Sequence, residues 1–135
     1  MSRIASAFFD NARNTPDKLA IWCEGDTGTY AELADLVGRW SSGMADRGVR
    51  RGDHIGVLLP NSIEFVALMI AAADLGACLV PLNSTLPASA VRHAFSVSGV
   101  RHVVAGWENI QTLKSGDFDF ADGLWISLDG PTPGA

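Results

Sequence analysis

Apolar residues at Ile4, Ala5, Phe8, Phe9 and Ala12 recur at helical spacing and predict a helix over residues 4–13. Thr15-Pro16 ends it, because the residue before a proline is pushed out of the helical region. Residues 19–23 are a short apolar run of strand length, and Gly25 and Gly28 then mark a turn. Thr29 followed by Glu32 is a capping-box pattern for a second helix with an apolar stripe at Leu33, Leu36, Val37, Trp40 and Met44. Gly48 is placed to close that helix in a left-handed conformation. A strand follows over residues 54–59, broken by Pro60-Asn61. Asn61 and Glu64 repeat the capping logic for a helix over residues 62–75. That helix is apolar on nearly every side, which predicts packing on more than one face. After Gly76 comes a strand over residues 78–82. Pro87 then suits the first turn of a helix with Val91, Ala94, Phe95 and Val97 facing inward and Gly99 closing it. Residues 102–105 predict a strand, 107–114 a short helix, 115–123 a loop and 124–128 a last strand.

The strands are short and continuously apolar, and helices separate them. A parallel sheet covered on both faces needs that pattern, whereas a half-exposed sheet would alternate. The expected fold is therefore α/β: a doubly wound, mainly parallel sheet with helices on both faces and right-handed crossovers. Residues 1–130 are expected to form one α/β subdomain and residues 131–135 a tail.

Composition narrows the function classes. With 47% hydrophobic and 19% charged residues in 135, the chain is neither disordered nor a disulfide scaffold. Its formal charge of -5 and its small basic cluster, Arg47, Arg50 and Arg51, argue for a solvated loop and against a nucleic-acid partner. Cys23 and Cys78 lie in apolar stretches and read as small buried hydrophobes of a cytoplasmic protein. Residues 2–15 lack the apolar run of a secretory signal. The longest apolar run, residues 65–73, falls short of the roughly 20 residues of a membrane-spanning helix.

No familiar chemistry is spelled out. The sequence has no Gly-x-x-x-x-Gly-Lys-Ser/Thr, and the glycines at 43, 48, 52 and 56 are not spaced as a dinucleotide fingerprint. A Gly-x-Ser-x-Gly elbow is also missing. His54, His93 and His102 lack zinc spacing. His93 and His102 flank a turn and could approach each other, but they read as ordinary surface or boundary residues. Asp117, Asp119 and Asp122 lack the glycine and glutamate of a calcium loop. Glu32 and Glu64 are explained by capping rather than by acid–base work, and Tyr30 and Trp40 read as core or boundary aromatics. No residue is therefore assigned to catalysis, cofactor binding or a metal.

Five segments, in one order, nonetheless resemble the adenylate-forming (AMP-binding) superfamily, and within it the acyl-CoA synthetases. Thr29-Tyr30-Ala31-Glu32-Leu33 is similar to its Thr-Tyr-x-Glu-Leu motif. Gly48-Val49-Arg50-Arg51-Gly52-Asp53-His54-Ile55 resembles its Gly-Val-x-x-Gly-Asp-x-Val strand start. Leu59-Pro60-Asn61-Ser62 with Glu64-Phe65 is similar to its next strand-to-helix junction. Gly76-Ala77-Cys78-Leu79-Val80-Pro81-Leu82-Asn83 resembles Gly-Ala-x-x-Val-Pro-Leu-Asn, and Ser98-Gly99-Val100 resembles the Ser-Gly turn before a further strand. The likeness runs from about Phe8 to Val104. Glycines 48, 52, 76 and 99 fall where turns need φ > 0, so these motifs read as chiefly architectural.

The resemblance implies an N-terminal part of a two-step ligase, taking a carboxylic acid through an acyl-adenylate to a coenzyme A thioester. It implies ATP, Mg2+ and coenzyme A for the whole enzyme, with none expected on these residues. The family's phosphate-binding Ser/Thr/Gly-rich loop with its lysine, its adenine site and its catalytic lysine have no counterpart here. Lys18 and Lys114 stand in no matching motif. The chain alone is thus expected to be inactive. An acyl-AMP ligase, an amino-acid adenylation domain, or a non-catalytic interaction module that homodimerises remain alternatives. Asn83 favours the acyl-CoA synthetases, since many amino-acid-activating relatives carry Asp there.

Overall fold

A computed structural model describes residues 3–23, 25–60, 62–83, 85–114 and 124–127. The chain divides into two compact units, one of Met1–Gly52 with Asn61–Ala77, the other of Asp53–Pro60 with Cys78–Ala135. The expected loop at Asp117, Asp119 and Asp122, and residues 128–135 with the expected tail, lie outside the described residues.

The first unit holds helix α1 (Arg3–Asn14), strands β1 (Leu19–Cys23) and β2 (Asp26–Thr29), and helices α2 (Tyr30–Asp46) and α3 (Ile63–Leu75). Both halves of the α2 capping box form: the Glu32 N–H donates to Thr29 Oγ1 at 3.2 Å and the Thr29 N–H to Glu32 Oε1 at 2.9 Å. Gly48 and Gly76 follow α2 and α3 at φ 96° and 76°, as expected of helix-closing glycines. Leu33, Val37 and Met44 of α2 are buried, as are Ala67, Leu68, Ile70, Ala71 and Ala72 of α3. Small residues at the contact let two helix axes come close. The α3 cap differs from expectation. Ser62 is the N-cap, accepting from the Phe65 N–H at 3.2 Å, and Asn61 lies outside the described residues. Glu64 is freed for a tertiary bond: the Trp40 indole N–H donates to its Oε2 at 2.7 Å.

Strand β1 also departs from expectation. It does not join the parallel sheet but pairs antiparallel with β2 in a sheet of its own. Only two residues separate β1 from β2, and Gly25 takes φ 90° between them. A parallel partner needs a crossover of about a dozen residues or more, so the short link makes a hairpin. Strand β2, Asp-Thr-Gly-Thr, has no apolar run to reveal it. Gly28 belongs to this strand rather than to the turn, and a Cβ there would sit 3.3 Å from Ile21 Cγ2.

The second unit holds β3 (His54–Leu58), β4 (Cys78–Pro81), α4 (Ala88–Val97), β5 (Val100–Ala105), α5 (Trp107–Lys114) and β6 (Leu124–Ser127). Its four strands are all parallel, in the order β4-β3-β5-β6. The chain runs from β3 to β4 on one side, then returns past β3 to β5 and β6 on the other. That reversal is the mark of a doubly wound sheet, and it bears out the expected class. The core gathers Leu58, Val91, Phe95, Val100, Val103, Ala105, Ile110 and Leu113. Phe95 is fully buried, and its ring occupies the space a side chain at Gly56 would need: a Cβ there would lie 2.6 Å from Phe95 Cζ.

Two inward-facing expectations fail in this unit. Val97 is 74% exposed, because it sits on the last turn of α4 off the stripe set by Val91 and Phe95. Cys78 is exposed rather than buried, since it opens β4, an edge strand of the sheet. In the first unit Cys23 is only half-buried, and both thiols are free.

Candidate functional site

In open α/β sheets, ligands bind beyond the carboxyl ends of the strands, where the strand order reverses. Here that point lies between β3 and β5, at Leu58, Leu59 and Pro60 on one side and Ala105 and Gly106 on the other. Leu58, Leu59 and Ala105 are buried apolar residues, so this edge offers backbone and packing rather than charge. Beyond the end of β4, Asn83 Oδ1 accepts from the Thr85 N–H at 2.9 Å and its hydroxyl at 2.8 Å. The Asn83 side chain thus shapes its own turn.

The first unit carries a concavity of its own. A groove of about 320 Å³ is lined by Ile21, Trp22, Cys23, Ser62, Phe65, Val66 and Met69. Trp22 is 68% exposed and Met69 47%, so large apolar surface borders it. The groove brings no cation to an anionic ligand. Its hydroxyl, Ser62 Oγ, already caps α3.

The most organised polar cluster lies at the opposite end of the parallel sheet. Asp53, just before β3, is buried, and its Oδ2 lies 3.0 Å from His102 Nε2 on β5. Its Oδ1 lies 3.5 Å from Arg101 Nη1. Its carbonyl oxygen accepts from the Cys78 N–H at 2.8 Å. Nearby, His54 Nδ1 is 2.5 Å from the Ser98 carbonyl oxygen, which as an acceptor requires the proton on Nδ1.

Of the histidines, His93 is a surface residue as the sequence reading has it, whereas His102 is buried. His102 is a buried partner of Asp53, His54 ties β3 to the end of α4, and His93 is exposed on α4. His93 and His102 do not make the pair their spacing allowed, because His102 turns to Asp53. Among the described residues, no three His, Cys, Asp or Glu side chains are placed to hold a metal ion. No helix among them is long and apolar enough to cross a membrane. The Asp53–His102 contact was invisible in the sequence because 49 positions separate the two residues. The only local trace was the Gly52-Asp53 step ahead of the strand.

Comparison with known proteins fits this geometry. The family described as AMP-binding enzyme matches residues 8–125. Over 78 residues the chain is 40% identical to the long-chain-fatty-acid–CoA ligase FadD13 of Mycobacterium tuberculosis, covering 58% of this chain and 16% of that protein. Over 104 residues it is 34% identical to a feruloyl-CoA synthase of Amycolatopsis sp, covering 77% of this chain and 21% of that protein. The inhibitor-bound N-terminal domain of FACL13 from Mycobacterium tuberculosis matches with a TM-score of 0.85 at 29% identity. That match covers 95% of this chain and 34% of the solved one.

Proposed function

The chain belongs to the family of AMP-binding enzymes, and from that premise we propose that it is the N-terminal part of an ATP-dependent acid–thiol ligase. The observation that carries the reading is the family match over residues 8–125, which spans nearly all the described elements. Similarity to two coenzyme A ligases, each several times longer than the matched stretch, supports it. In the proposed reaction a carboxylate oxygen attacks the α-phosphorus of ATP and pyrophosphate leaves. The thiol of coenzyme A then attacks the acyl carbon of the adenylate, AMP leaves, and a thioester forms. Magnesium accompanies ATP.

The described residues do not by themselves fit a nucleotide. The switch-point edge presents buried Leu58, Leu59 and Ala105, and the groove presents Ile21, Trp22, Phe65, Val66 and Met69. A triphosphate needs cations or a cradle of free N–H donors. We therefore assign phosphate binding and catalysis to parts of the enzyme beyond these residues. The described units serve as scaffold, with the parallel sheet setting the strand ends against which such a site is built. The named relatives differ in their acids, a long-chain fatty acid in one and a feruloyl group in the other. The proposal is accordingly for a carboxylic acid of unfixed class. Two free cysteines fit a cytoplasmic enzyme.

The test is thioester formation by the product of the whole reading frame, supplied with ATP, Mg2+, coenzyme A and a panel of fatty and aromatic acids. The expected result is AMP release matched by an acyl-CoA mass for at least one acid. Adenylate formation followed by loading of a carrier protein, with coenzyme A refused, would overturn the choice of thiol acceptor, and activation of amino acids in place of these acids would overturn the choice of acid.

A further inference from the structure

Strands β3 and β5 pose a register problem. Gly56, Val57 and Leu58 stand opposite Val103, Val104 and Ala105 in two strands buried over most of their length. A one-residue slip turns every side chain to the opposite face. In a strand that is apolar on both faces, such a slip exchanges one apolar residue for another, so hydrophobic burial discriminates weakly between registers. The bare backbone at Gly56 under the Phe95 ring fixes β3 against α4, and a buried polar contact can do the same for β5 against β3.

The pairing is also irregular where the strands begin. His54 stands opposite Val100, but Ile55 stands opposite His102, so Arg101 is the extra residue of a bulge. Bulges are uncommon in parallel pairs, and they re-aim side chains. Adjacent strand residues ordinarily point to opposite faces. Here Arg101 and His102 both reach one carboxylate, Arg101 at Oδ1 and His102 at Oδ2 of Asp53. The same residue's carbonyl takes the Cys78 N–H at the start of β4.

We infer that Asp53 is a register lock: one buried residue at the head of β3 that fixes how β5, and with it the carboxyl edge of the sheet, is aligned. A slip of β5 by one residue would move His102 away from a carboxylate buried with it and break that buried contact. That is among the costlier errors a fold can make. A single polar side chain that sets register is a known use of a buried polar group. His102 carries the lock, because it is 4% exposed, whereas the Arg101 side chain is 55% exposed and its contact is screened by water. Asp53 acts as a positioning residue for the strand ends, from the end of the sheet opposite their carboxyl edge.

Hydrogen exchange of the whole protein, read by mass spectrometry on peptides covering residues 54–58 and 100–105, tests this. Asp53→Asn and His102→Gln are each expected to speed exchange in those two peptides by about tenfold to a hundredfold, as for a buried hydrogen-bonding group left without its partner. Peptides from α2 and α3 should be unchanged. The double variant should be no worse than the worse single, because both break one contact. Arg101→Ala should change exchange less than about threefold. If Asp53→Asn does not fold, His102→Gln decides alone: regional loss at β3 and β5 supports the lock. Exchange unchanged in both peptides, a uniform loss across both units, or single effects that multiply in the double variant would overturn it.

Discussion

Phe95→Ala is expected to destabilise the unit built on the parallel sheet by about 3–5 kcal/mol. The ring is fully buried among Leu58, Val91, Val100, Val103 and Ile110, so its loss leaves a cavity that these neighbours cannot all collapse into. It also removes the contact by which α4 is seated on β3, since the ring covers the bare backbone at Gly56. Chemical denaturation followed by circular dichroism reads the change as a lower midpoint. A loss under about 1 kcal/mol would mean that the aromatic ring is not the keystone of this core.

Gly56→Val attacks the same contact from the other side, by overpacking. A Cβ at position 56 would meet three atoms of the Phe95 ring at 2.6, 2.8 and 2.8 Å, well inside any real contact. The ring has no exposed side toward which to retreat. A cost of about 3 kcal/mol is expected, at the upper end for inserted methyl groups. The requirement here is space, because Gly56 is not among the glycines with positive φ. Pairing Gly56→Ala with Phe95→Leu should therefore recover stability relative to Gly56→Ala alone, as residues in contact are not additive. A double variant as unstable as the sum of the two singles would show that the glycine is needed for its backbone instead.

These two residues also show what a sequence does and does not disclose. Phe95 could be placed in the core from its helical spacing with Val91, and α2 could be bounded from Thr29, Glu32 and Gly48, because those signals act within a few residues. The same holds for the left-handed glycines 48, 52, 76 and 99, all of which have positive φ. The hairpin of β1 and β2 escaped because Asp-Thr-Gly-Thr carries no apolar period. The sequence shows Glu64 as a cap residue and does not show its bond to Trp40, which lies 24 positions away. Asp53 and His102 escaped for the same reason. Cys78 and Val97 read as inward-facing in the sequence because an apolar run does not say where a sheet or a helix stops. The candidate site was least legible of all. A switch point is a property of strand order, and strand order is decided by long-range pairing.

The motifs that carry the family resemblance are turn glycines, strand starts and helix caps. On the function proposed above, these residues build the platform of a ligase whose chemistry lies elsewhere in the protein. ATP–pyrophosphate exchange tests that most directly, measured for the isolated 135-residue chain and for the product of the whole reading frame with the same carboxylic acids. The account predicts acid-dependent exchange by the longer protein and none by the isolated chain. Exchange catalysed by the isolated chain, or a folded longer protein that exchanges with none of the acids, would contradict it.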